Sequence, residues 1–122
     1  MQDFRRLSVW QKSHRLTLAI YKISQTFPPD ERFGLTSQLR RASSSISANI
    51  AEGCGRGSRI ELRHFLHVAM GSASEVEYFL LLARDLGFVT PVGYVQADKN
   101  VTEIKKMLSG LIESLKRAAP KN

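Results

Sequence analysis

Apolar residues in this chain recur at alternating steps of three and four, again and again, and nowhere in the alternating pattern of a strand. Val9, Ser13, Leu16, Ile20, Ile23 and Phe27 form one such row. This is the signature of one buried face of an amphipathic helix. Pro28 and Pro29 stop it, because proline lacks an N–H and disfavours helical geometry in the residue before it. A second row, Leu35, Leu39, Ala42, Ile46 and Ile50, predicts a helix from about residue 33 to 52. A third, Leu62, Leu66, Ala69, Ala73, Val76, Leu80 and Ala83, predicts one over about 58–86. A fourth, Tyr94, Ala97, Val101, Ile104, Leu108, Leu111 and Leu115, predicts one over about 91–117. The first helix is expected over about 8–27. Four amphipathic helices on short connections predict an all-α, antiparallel, up-down-up-down four-helix bundle spanning 1–122 as a single domain.

The punctuation supports these bounds. Gly53 suits the left-handed position just past a helix end, and Gly87 closes the third helix in the same way. Ser58 and Glu61 have the spacing of a capping box. Thr90 followed by Pro91 is a helix start, with proline in the first turn. The centre of the second helix, Ala42 to Ala48, is small and serine-rich. With Leu39, Ile46 and Ile50 keeping the period through it, it reads as a tight packing seam and not as a linker. The third helix, about 43 Å long at its predicted length, is unusually long for a small domain.

More apolar side chains are present than one stripe per helix accounts for. Phe65, Val68, Phe79, Leu81 and Leu82 spread around the third helix, and Trp10, Leu18 and Tyr21 lie off the main row of the first. A helix apolar on several sides must be covered on several sides. Self-association is the expectation, with Trp10, Phe65, Phe79 and Leu82 as candidate contacts; a wide core stripe in a monomer is the alternative.

Eighteen basic against eleven acidic side chains give a net charge of +7. The excess is uneven. Residues 1–33, 34–63 and 91–122 are each +3, and residues 64–90 are −2. Such a balance suits acidic partners, RNA or DNA among them. Arg40, Arg41, Arg56, Arg59, Arg63, Lys105 and Lys106 are the candidate phosphate contacts, with Arg5 and Arg6 alongside, since the planar guanidinium fork matches a phosphate. Most aromatic residues fall on packing rows, so the backbone of the nucleic acid, not its sequence, is the expected target.

Little points to catalysis. A single cysteine, Cys54, excludes an internal disulfide and a multi-cysteine metal site. Glu61-x-x-His64 is half of a di-iron bundle motif, but the second copy is missing. His64 and His67 stand one turn apart with no third ligand in view, and His14 reads as a surface residue. Gly53 to Gly57 resembles a phosphate cradle before a helix, although a glycine-rich turn is its commoner meaning. No catalytic residue, metal or cofactor is expected. The polar N-terminus carries no signal-like run, and no stretch reaches the ~20 apolar residues of a membrane span. A cytoplasmic protein without membrane association is expected.

The stretch Phe33-Gly34-Leu35-Thr36-Ser37-Gln38-Leu39-Arg40-Arg41-Ala42, followed by Ser45-Ile46 and Asn49-Ile50-Ala51-Glu52-Gly53, resembles the hallmark of the 23S rRNA-intervening-sequence, or four helix bundle, protein family. Phe65, Ala69, Gly71-Ser72-Ala73, Glu75, Met107-Leu108 and Leu111-Ile112 continue the likeness. The resemblance implies an antiparallel bundle assembling as a ring-like homopentamer. It also brings in accessory proteins of diversity-generating retroelements, similar in fold and basic, whose partners are nucleic acid and a reverse transcriptase. It implies no catalytic set. Gln38, Ser45, Asn49, Glu52 and Gly53 match the hallmark as structural or interface positions. Arg40 or Arg41 is expected to pair with Glu52 of a neighbouring copy, and Asn49 to bond backbone at a helix end or a subunit contact. Two functions remain open: a non-enzymatic, self-associating protein that holds RNA or DNA, and a scaffold or accessory factor for another protein.

Overall fold

The computed structural model describes residues 3–117, and among them four α-helices and no strand. They are α1 (Ser8–Ser24), α2 (Leu35–Gly55), α3 (Arg59–Asp85) and α4 (Pro91–Arg117). Single 3₁₀ turns, Phe4–Arg6 and Pro29–Glu31, precede α1 and α2. Helices consecutive in sequence pack side by side, and α1 closes the bundle against α4. Cross-helix pairs run in opposite senses along each neighbour. Ser24 meets Arg40 and Thr17 meets Ser43 between α1 and α2. Arg41 meets Glu75 and Ser45 meets Ser72 between α2 and α3. Arg84 meets Tyr94 and Glu77 meets Lys105 between α3 and α4. The arrangement is therefore an antiparallel four-helix bundle.

The core consists of the periodic rows. Leu16 and Ile20, Leu39, Ile46 and Ile50, Leu66, Val76 and Leu80, and Val101, Ile104 and Leu108 are essentially inaccessible to water. Between α2 and α3 the side chains are small, and Ser45 Oγ lies 2.9 Å from Ser72 Oγ across the gap. The serine-rich stretch is thus a seam. Its hydroxyls are mostly absorbed locally: Ser43 and Ser44 donate to the carbonyls of Arg40 and Arg41 at 3.0 and 3.1 Å. Ser47 is the exception, its buried Oγ having no hydrogen-bond partner. A buried unpaired hydroxyl carries its full desolvation cost. Ser47→Ala is therefore expected to stabilise the protein by about 1–2 kcal/mol, read as a raised midpoint in urea.

Two expected boundaries shift. The helical row reaches Phe27, but α1 ends at Ser24. From there the amides of Gln25, Thr26 and Phe27 bond to carbonyls three residues back, so the chain tightens before Pro28. Phe27 is still buried, its ring 5.7 Å from that of Phe88. The second correction concerns Gly53. It does not cap α2; the helix continues through it to Gly55, and the left-handed glycine of the turn is Gly57, at φ 85°. Gly53 is buried instead against α3, where a Cβ would stand 3.0 Å from both Leu62 Cδ1 and Phe65 Cβ.

The remaining caps follow the sequence. Ser58 Oγ accepts the Glu61 amide at 3.1 Å and donates to Glu61 Oε1 at 3.2 Å. Thr90 Oγ1 accepts the Gly93 amide at 3.0 Å. Gly87, at φ 77°, ends α3 in a Schellman motif: its amide bonds Arg84, and that of Phe88 bonds Ala83.

Candidate nucleic-acid interface

The antiparallel topology divides the predicted cations among three places. Arg40 and Arg41 lie in the first half of α2, beside the C-terminal end of α1. Arg56, Arg59 and Arg63 gather at the opposite end of the bundle, around the α2–α3 turn, together with Arg5 and Arg6 ahead of α1. Lys105 and Lys106 lie midway along α4. One continuous face does not hold them all.

At the α2–α3 end the positive charge is partly answered. Arg56 lies over the Phe65 ring at 5.0 Å and pairs with Glu52 at 3.0 Å and Glu61 at 3.7 Å. Arg5 pairs with Asp3 at 3.1 Å. A cavity of about 490 Å³ opens here beside Cys54, Ser58, Arg59 and Leu115. Cys54 is buried; desolvation first, and the Asp3 carboxylate second, push its thiol up from the usual range, the opposite of what a thiolate nucleophile needs. On α4, Lys105 is tied to Glu77 at 2.9 Å while Lys106 is exposed.

The α1–α2 end is built differently. Arg40 stacks on the Tyr21 ring at 4.7 Å, donates from Nε to Ser24 Oγ at 2.7 Å and from Nη2 to the Tyr21 carbonyl at 3.2 Å. Both acceptors are neutral, so the guanidinium is fixed in place with its charge intact. Arg41 reaches Gln38 at 3.2 Å and Glu75 at 3.3 Å. Arg32 lies over the Phe33 ring at 5.2 Å. Tyr21, Arg32, Phe33, Arg40 and Arg41 line an open cavity of about 430 Å³ together with Thr36 and Ser37 at the start of α2. Arg32 was not among the sequence candidates, nor were Tyr21 and Phe33 as ligand contacts. Only Phe33's place outside the helical period hinted that its ring points away from the core.

The hallmark positions are engaged within the chain. Asn49 donates to the Ser45 carbonyl at 2.8 Å and to its Oγ at 3.0 Å in the middle of α2. Glu52 takes Arg56 one turn on. Of the candidate contact residues, Trp10 is half-buried between Phe4 and His14, both at 5.0 Å between ring centres. Phe79 and Leu82 are half-buried against the core edge, and Phe65 is half-buried between Arg56 and His64. The most exposed large apolar side chains are others, chiefly Phe33, Ile60, Val92 and Val95. His64 sets its ring edge against Phe65, and among the described residues no group of three metal-binding side chains converges. Nor is any described helix long and apolar enough to cross a membrane.

Comparison with known proteins agrees with this architecture. A crystal structure from Bacteroides thetaiotaomicron VPI-5482, described as a protein of unknown function from the S23 ribosomal protein family, superposes with a TM-score of 0.80. It is 29% identical over 86% of this chain and 95% of its own. A search of curated proteins finds no match. The model of the 23S rRNA-intervening sequence protein family matches residues 5–110. With nearly the whole bundle inside that match, the chain belongs to the 23S rRNA-intervening sequence protein family.

Proposed function

We propose that this protein is a non-enzymatic, cytoplasmic, self-associating bundle that holds RNA or DNA through its phosphates. The observation that carries the reading is Arg40, oriented by two neutral acceptors and a ring, and so presenting an uncompensated charge in a fixed direction. A fixed fork gives up little side-chain freedom when a phosphate docks. Association of copies, as the ring-like homopentamer expected for the family, multiplies the +7 of each chain and the field a polyanion meets. It also covers exposed apolar side chains, each worth about 1.5–3 kcal/mol when fully withdrawn from water.

Titration with mixed-sequence RNA and with duplex DNA at several salt concentrations tests the phosphate reading. Affinity is expected to fall linearly on a log–log plot, with a slope of about −0.9 per phosphate neutralised on duplex DNA. No binding of either at low salt overturns it. Sedimentation tests the assembly separately: a mass near five times 13.7 kDa is expected, and a lone 13.7 kDa species at micromolar concentration contradicts it.

A second reading, a scaffold or accessory factor for another protein, draws on a groove of about 690 Å³ between α1 and α4. Val92 and Val95 expose their side chains there, beside Pro91. Failure to bind nucleic acid, with assembly intact, favours this alternative.

A further inference from the structure

We propose that the cavity at the α1–α2 end is a stacking subsite for an unpaired nucleotide, so that the protein prefers single strands to duplexes. The inference rests on the phosphate reading above and adds the kind of strand recognised. The cavity combines two chemistries. Arg32, Arg40 and Arg41 supply planar cations, while Phe33 and Tyr21 supply flat apolar faces. No carboxylate lines it. Of the acids nearby, Glu75 pairs with Arg41, while Glu31, which accepts the Leu35 amide at 2.9 Å, and Asp30 on the preceding turn keep their charge; Arg32 and Arg40 make no ion pair with any of them.

Phe33 is the deciding residue. Its side chain is 87% exposed, and the guanidinium of the adjacent Arg32 rests against its ring. It belongs neither to the core row nor to a helix, so the fold does not require an aromatic ring there. Tyr21, 44% exposed, carries the Arg40 guanidinium on its ring. A nucleotide is an anion joined to a flat, weakly polar ring. Its phosphate fits the guanidinium forks, and its base fits the Phe33 face or the guanidinium planes. In a duplex the base faces are stacked inside and unavailable, so a duplex engages only the arginines. A single strand engages both sets.

The test uses the full-length protein, a short mixed-sequence single-stranded RNA, the single-stranded DNA of the same sequence, and the corresponding DNA duplex. Wild type is expected to bind the single strands more tightly than the duplex. Phe33→Ala is expected to weaken single-strand binding about tenfold and duplex binding much less, so that the preference for single strands shrinks, while Phe33→Trp restores it. Because Phe33 lies outside the core, the thermal midpoint should be unaffected by either change. The two single strands distinguish the sources: equal loss on both assigns the site to the base and phosphate, and loss on RNA alone assigns it to RNA. Equal affinity of wild type for single strand and duplex overturns the stacking subsite alone. So does a parallel loss on both forms in Phe33→Ala, or a change in sedimentation mass, which would make Phe33 a contact between copies. Absence of any nucleic-acid binding at low salt overturns the phosphate reading, and this inference with it.

Discussion

Leu80→Ala is expected to remove about 2–5 kcal/mol of folding stability. Leu80 lies in the second half of α3, on the row that faces the bundle interior, and none of its surface reaches water. Truncation forfeits the transfer of its side chain and leaves a void, because neighbours fixed on rigid helices collapse only partly into the space. The loss is a large share of the roughly 5–15 kcal/mol that holds a domain of this kind together. In urea the midpoint should fall with the slope unchanged, since the surface exposed on unfolding stays nearly the same. Leu82, two residues on and half-buried, gives the contrast. In an isolated protomer its truncation costs less than that of Leu80. If copies cover Leu82, the cost of Leu82→Ala grows with protein concentration, while that of Leu80→Ala does not. A loss below 1 kcal/mol at Leu80 contradicts the core packing described.

The helices were legible because burial on one face forces a period, and the period survives in the order of residues. The rows beginning at Leu35, Leu62 and Tyr94 are buried or packed against the core as the spacing requires, and the caps at Ser58, Gly87 and Thr90 are local devices within three or four residues. What is not local was not legible. Arg40 depends on Ser24 and Tyr21, sixteen and nineteen positions away, so nothing in its own neighbourhood reveals that its charge is left uncompensated. Trp10 lies off the main row and read as a contact for another copy; the 3₁₀ turn at Phe4–Arg6, which has no periodic signal, brings Phe4 onto one side of it. Phe33 stands outside the row that begins at Leu35; it precedes the first turn of α2 and is exposed to solvent, but the period alone does not say what its ring meets there. The candidate site consists largely of such non-local or off-period residues. Only Arg40 and Arg41 were visible in it beforehand, as a basic pair on a helix.

Gly53 shows how the same residue type supports two readings that a measurement separates. A glycine followed by Cys54 and Gly55 reads as a helix end, where its use is backbone freedom. In the structure it is helical, and its use is the absence of a side chain: α3 approaches so closely that a Cβ would meet Leu62 Cδ1 and Phe65 Cβ at 3.0 Å and Leu62 Cα at 3.3 Å. The Leu62 methyl can swing aside, but Phe65 Cβ and Leu62 Cα move only with the α3 backbone. Gly53→Val is therefore expected to destabilise by about 2–3 kcal/mol, the cost of overpacking a close helix contact. For a chain of this length that corresponds to a drop in Tm of roughly 10 °C. Gly110, exposed in α4 with nothing within 4 Å of its notional Cβ, supplies the opposite sign: Gly110→Ala should stabilise by up to about 1 kcal/mol, because alanine is the better helix former. A neutral or stabilising Gly53→Val would mean that α2 and α3 stand further apart than described. A loss there beside a gain at Gly110 ties the small residues of the seam to close approach of the two helices, on which the register of Ser45 with Ser72 and of Arg41 with Glu75 depends.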